Sequence, residues 1–239
     1  MTSNNQVIVN EEIMILRLEL QTLELQYELL DNERIELMKV ISDFEHRHSI
    51  ELGELILKIL KLRKQKYKGD KPKYQEARSD YKHYREQLNR EMAKEHFDLT
   101  EQESKELKTK FRKASLLCHP DKVNDELKEA ANAIFIELKN AYESNNLKRV
   151  SEILSQLEHG KLFKSKSETV SEKQKIQFII NEMKIKISQI ESEIMSLKAN
   201  EIFKTIMSIP NLDKYFHDTK KTLQQELSNL EDSLKVKNI

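Results

Sequence analysis

An all-α fold of long amphipathic helices is what this sequence predicts, on three observations. Apolar residues recur at alternating intervals of three and four along most of its 239 residues, the spacing of helical and coiled-coil seams. Only three Gly and three Pro interrupt it, too little turn chemistry for a strand-rich fold, a phosphate-binding loop or an elaborate catalytic site. Tryptophan is absent and 34% of residues are charged, a composition of extended helices rather than of a compact enzyme, so no enzymatic activity is expected.

Residues 1–10 are polar and are expected to be disordered. A heptad then runs through Ile13, Leu16, Leu20, Leu23, Tyr27, Leu30, Leu37, Ile41 and Phe44, with Arg34 at the skipped core position. A second seam, Leu52, Leu55, Ile59 and Leu62, follows an offset near His48. One helix reaching about Lys68, with a stutter or bend there, is expected, and Gly53 weakens it without ending it. Lys68-Gly69-Asp70-Lys71-Pro72 has turn chemistry, and Tyr74, Ala77, Tyr81, Tyr84 and Leu88 resume helical spacing. Residues 11–96 therefore read as an antiparallel helical hairpin.

Thr100 followed by Glu103 is a capping-box signature, predicting a helix from about Glu101 to Cys118 that buries Leu107, Phe111, Ala114 and Leu117 or Cys118. Pro120 cannot continue that helix and biases His119 away from helical dihedrals, so the chain turns and presents His119, Asp121 and Lys122 in a loop. Asp125 is expected to cap the next helix, whose apolar face carries Leu127, Ala130, Ala131, Ile134, Phe135, Leu138, Ala141 and Tyr142. Asn145-Asn146 then turn into a short helix bearing Leu147, Val150, Ile153, Leu154 and Leu157.

A polar, Ser-rich stretch at 161–171 reads as a linker, and 172–239 as a C-terminal helical region. Ile176, Ile179, Met183, Ile187, Ile190, Ile194 and Leu197 predict a helix to about Ser208, where Pro210 stops it. Leu212, Phe216, Leu223, Leu227, Leu230 and Leu234 mark a last helix. None of these helices buries its own stripe, so the seams pair within one chain or in a homo-oligomer, and spacing does not choose between the two.

Charge and cysteine content narrow the partners. Basic and acidic residues balance at 41 each, so no global field argues for nucleic acid or an anionic membrane. Residues 1–60 nevertheless carry an acidic excess and residues 61–113 a basic one. Cys118 is the one cysteine, which rules out an internal disulfide or a multi-cysteine metal site, and it is expected as a small buried apolar residue. The other histidines, His46, His48, His83, His96, His159 and His217, form no ligand pattern such as HExxH. The opening MTSNNQVIVNEE lacks the basic segment and apolar core of a secretion signal, and no apolar run approaches the ~18 residues that span a bilayer. A cytoplasmic chain without membrane contact is the expectation.

Residues 97–160 resemble the J domain of the DnaJ family. His119-Pro120-Asp121 stands as its HPD tripeptide. Its second-helix pattern of aromatic, basic pair and small apolar residue appears as Phe111-Arg112-Lys113-Ala114, with Leu107 four residues earlier. Its third-helix pattern appears as Phe135, Leu138 and Ala141-Tyr142. The closing short helix resembles that of a bacterial group which embeds an HPD helical pair between coiled coils. The resemblance implies a J-domain-like antiparallel helical pair with an HPD loop, flanked by long coiled-coil helices. It also implies a co-chaperone, without cofactor or metal, that contacts a DnaK-type ATPase chaperone and favours its ATP hydrolysis. Carried over by position, the contact set is Lys108, Phe111, Arg112 and Lys113 on the helix and His119, Pro120 and Asp121 in the loop, with Lys105 and Lys122 extending the positive field. The coiled coils would select a client or a location. The family's first-helix signature is missing; His96-Phe97-Asp98-Leu99 stands there, and the returning helix 74–96 is expected to supply that packing surface.

Two alternatives belong to other classes. One is a coiled-coil scaffold whose J-like fold has lost its docking role. The other is a nucleic-acid-associated protein, resting on the basic stretch 61–113 where Tyr67, Tyr74, Tyr81 and Tyr84 interleave with the charges.

Overall fold

The computed structural model describes residues 2–94, 96–159 and 173–237, the first nine and last two of them by backbone only. The chain is all-α. Its helices are α1 (Thr2–Lys66), α2 (Lys71–Met92), α3 (Glu101–Cys118), α4 (Asp125–Glu143), α5 (Leu147–His159), α6 (Lys173–Ala199), α7 (Glu201–Ser208) and α8 (Leu212–Lys237). Helix α1 is formed from Thr2 onward, across most of the stretch expected to be disordered, and continues through the offset near His48. The expected linker at 161–171 lies outside the described residues.

Two compact units divide the chain, one of Met1–Lys39 with His96–Ala199, the other of Val40–Glu95 with Asn200–Ile239. In the first, α3 opens on the predicted capping box: Thr100 Oγ1 accepts the Glu103 N–H at 3.3 Å and Glu103 Oε2 accepts the Thr100 N–H at 2.9 Å. It ends where proline requires, with His119 in extended backbone at φ −64° and ψ 121°. Asn124, not Asp125, takes the N-cap position of α4; Asp125 is the first helical residue, where its charge suits the helix dipole.

The α4–α5 junction is a Schellman turn. Asn145 adopts a left-handed φ of 62°, while the Asn146 and Asn145 N–H groups return to the carbonyls of Ala141 and Tyr142. Asn146 then caps α5 by accepting the Arg149 N–H at 2.9 Å.

Leu107, Phe111, Ala114 and Cys118 of α3 pack with Phe135, Leu138, Ala141 and Tyr142 of α4 and with Val150, Ile153, Leu154 and Leu157 of α5. Phe111 stacks on Tyr142 with centroids 4.1 Å apart, while His119 meets Phe135, so α3 and α4 run antiparallel. Ile35 of α1 inserts into the same core, and Leu99 packs against it. The packing surface expected from the returning helix 74–96 thus comes from α1 and Leu99; the returning helix, α2, belongs to the second unit.

Beside this module, α1 pairs with α6 within the chain. Leu20, Ile176 and Ile180 form their seam with Ile13, Leu16, Leu23 and Ile179. The ion pairs Glu19–Lys184 and Glu33–Lys198, both at 2.7 Å, keep the same sequence offset, so the two helices are parallel.

In the second unit, Asp70 caps α2 by accepting the Lys73 N–H at 3.3 Å, with Pro72 in the first turn. Gly53 lets α2 come close: a Cβ there would lie 2.5 Å from Leu88 Cδ1. Lys64 sits over the Tyr81 ring and Lys73 over the Tyr67 ring, so the chain's own cations cover two of the tyrosines that interleave with the basic stretch. The helix expected from 172 to about Ser208 breaks at Asn200. That side chain accepts the N–H groups of Ile202 and Phe203 and starts α7. Phe216 of α8 is fully buried, 5.5 Å from Phe44 and beneath the Arg47 guanidinium.

Candidate functional site

The turn that Pro120 forces between α3 and α4 holds four of the nine expected contact residues, and the other five stand on α3. The positive ridge stands on α3 as its helical spacing requires: Lys105, Lys108, Arg112 and Lys113 are all exposed. Lys105 pairs with Glu101 at 2.6 Å and Lys113 with Glu158 at 2.5 Å, both within the module. Lys108 and Arg112 instead converge on Glu36 of α1, at 2.8 and 2.5 Å.

The loop corrects the expectation of a presented tip. His119 is only 3% exposed. Its Nε2 lies 3.1 Å from Asp31 Oδ2, and its ring meets Tyr27 edge-on at 5.5 Å and Phe135 at 4.8 Å. Because Nδ1 accepts the Asp121 N–H at 3.3 Å, Nε2 is the nitrogen that carries hydrogen and donates to Asp31. Asp31 also holds Arg34, which reaches Glu193 of α6 at 2.7 Å.

Asp121 is half-buried in an ion pair with Lys186 of α6. Burial pushes its carboxyl up, but the Lys186 ammonium, with a hydrogen bond from Tyr27, holds it below the usual carboxylate range. For the Tyr27 phenol the same surroundings act in the other direction. Burial first, then the charges of Asp121 and Asp31, push it well above its ordinary value. Lys122 donates to Glu28 at 2.9 Å with both side chains largely covered, and Pro120 is half-buried.

A second correction concerns Phe111. It is fully buried against Tyr142 and cannot touch a partner, so it leaves the contact set and joins the core. Cys118 is equally buried; burial, aided by the charge of Glu28, pushes its thiol up to about 12, the state of a packing residue rather than a nucleophile.

Sequence reasoning missed the residues that face the site. Glu28, Asp31 and Glu36 come from α1 and Lys186 from α6. A signal existed for α1: Glu24, Glu28, Asp31 and Ile35 continue at helical spacing from Leu20 of the apolar heptad, and all five are buried. Lys186 carried none, since one lysine on a charged helix resembles any other.

Elsewhere, a cavity of about 230 Å³ in the second unit is lined by Phe44, Glu45, His48, Tyr84, Leu88 and Ile202 among others. Among the described residues no group of three His, Cys, Asp or Glu is placed to hold a metal ion, and no helix is long and apolar enough to cross a membrane. Comparisons with protein families, curated proteins and solved structures found no match to this chain.

Proposed function

We propose that this chain is a J-type co-chaperone, a non-enzymatic cytoplasmic adaptor. Its HPD module docks on a DnaK-type ATPase chaperone and stimulates ATP hydrolysis, while its coiled coils engage a client. One observation carries the reading: His119-Pro120-Asp121 joins two antiparallel helices, the first of which bears an exposed row of Lys105, Lys108, Arg112 and Lys113. Cations about one helical turn apart favour encounter with an acidic surface. A carboxylate at the turn suits a guanidinium on that surface.

Single-turnover ATP hydrolysis by the DnaK-type chaperone of the same host, at saturating adaptor, tests the reading. Wild type is expected to accelerate hydrolysis, and His119→Gln and Asp121→Asn to lose the effect. No acceleration by wild type, or equal acceleration by His119→Gln, refutes it.

A second reading rests on the burial of His119 against Asp31. In it the HPD turn is an internal fastening of a coiled-coil scaffold and docks on nothing. Its mark is unchanged cellular function in an Asp121→Asn strain.

A further inference from the structure

The proposed docking set is divided in two by its exposure. The ridge on α3 is open to solvent, whereas in the loop His119 is buried and Pro120, Asp121 and Lys122 are half-buried, their polar groups held by α1 and α6. Each loop group that would meet a partner already has one of opposite or hydrogen-bonding character: His119 has Asp31, Asp121 has Lys186 and Lys122 has Glu28. Glu36 reaches two ridge cations in the same way. Helix α1 therefore offers the module the carboxylates that an acidic docking partner would offer, and the two cannot hold the loop together.

The covering contact is built differently from the other contacts of this unit. Module and coil are sealed by apolar seams, as in the α3–α4–α5 core and the Leu20–Ile176–Ile180 cluster. Between Leu20 and Ile35, α1 instead buries Glu24, Glu28, Asp31 and Asn32, of which Glu28 and Asp31 reach the loop, and among the described residues Ile35 is its one fully buried apolar anchor in the module core. Asn32 Oδ1 and Arg34 Nε find no hydrogen-bond partner there. Desolvation offsets most of what buried ion pairs contribute, so a face of this kind holds position without holding tightly. A competing surface of the same character can replace such contacts with equivalent ones, which an apolar seam does not allow.

We propose that Glu28 and Asp31 of α1, with Lys186 of α6, form an autoinhibitory clamp that occupies the HPD loop in place of the partner, while Glu36 of α1 holds the adjoining ridge. The clamp rests on the docking role proposed above. Docking proceeds in two steps: an acidic surface lands on the exposed ridge and displaces Glu36, then the loop leaves Asp31 and Lys186. The apparent affinity is the intrinsic one reduced by the fraction of open loop.

Full-length wild type, Asp31→Asn, Glu36→Gln and Lys186→Met are compared by hydrogen exchange over residues 119–124 and by the concentration that half-maximally stimulates the chaperone's single-turnover hydrolysis. Glu36 lies at the edge of the contact and Lys186 on a different helix, so a folding defect in one variant is not shared by all; circular dichroism identifies it. Each variant is expected to speed loop exchange and to lower the half-maximal concentration, by about tenfold where the open fraction rises tenfold. Unchanged loop exchange in all three variants overturns the clamp, as does wild type that stimulates at the same concentration as the variants; the latter leaves the docking role standing. Faster loop exchange with no stimulation by any protein overturns the docking role, and autoinhibition falls with it.

Discussion

Replacing His119 by alanine separates a loop presented to solvent from one fastened inside. An exposed histidine at a loop tip contributes little to stability, and its removal stays within about 0.5 kcal/mol. Here the imidazole is 3% exposed and donates to a carboxylate that is itself almost fully covered. A hydrogen bond to a charged group is worth about 1.5–3 kcal/mol. The edge contact with Tyr27 and the tilted contact with Phe135 add about 0.5–1 kcal/mol together, at the low end for aromatic pairs. His119→Ala is therefore expected to cost the first unit about 2–4 kcal/mol. Urea denaturation followed by a probe in that unit measures this directly. A double-mutant cycle with Asp31→Asn should return a coupling of about 1–3 kcal/mol, since the two side chains share one contact. A loss under 0.5 kcal/mol, or additive effects of the two changes, would refute the buried pair and the clamp with it.

Three further outcomes follow from other contacts. Phe111→Ala removes a fully buried, stacked ring and should cost about 3–5 kcal/mol in urea titration, where a docking residue would cost almost nothing. Gly53→Ala sets a Cβ 2.5 Å from Leu88 Cδ1, a side-chain end that has to turn aside; the overpacking cancels the ~1 kcal/mol of helix propensity in part or whole, so the thermal gain falls short of that figure, and a double-mutant cycle with Leu88→Ala recovers the difference. Burial holds the His48 imidazole below its ordinary range, so the unfolded chain takes up a proton at higher pH than the folded one. Stability of the second unit should therefore decline as pH drops below about 6.5 toward the folded value, and melting curves of His48→Gln should be flatter over that window.

Local chemistry made much of the fold readable in advance. Thr100 with Glu103 and Pro120 bound α3 because capping and the missing proline N–H act within one turn. The interval from Phe135 to Tyr142 places one face of α4 for the same reason. What spacing did not reveal is which stripe meets which. Ile35 reaches the module core from a helix that ends before the module begins, and no periodicity records that. The apolar heptad of α1 also drew the reading away from Glu28 and Asp31, since a carboxylate beside a seam ordinarily faces water. Asn200 shows a subtler limit: nothing in the apolar pattern breaks there, and a side-chain cap alone ends one helix and starts the next.

The acidic excess of residues 1–60 and the basic excess of 61–113 turn out to include two sides of one contact, with Glu36 against Lys108 and Arg112. A net charge of zero thus conceals internal complementarity, and this changes what salt should do to docking. Were the cations idle, screening would weaken only the encounter with an acidic partner. With α1 already in place, the partner exchanges one set of ion pairs for another, and screening weakens both sides of the exchange. Charge on the ridge then governs which surface is recognised more than how tightly it is held, because the carboxylates of α1 set the standard that any partner has to exceed.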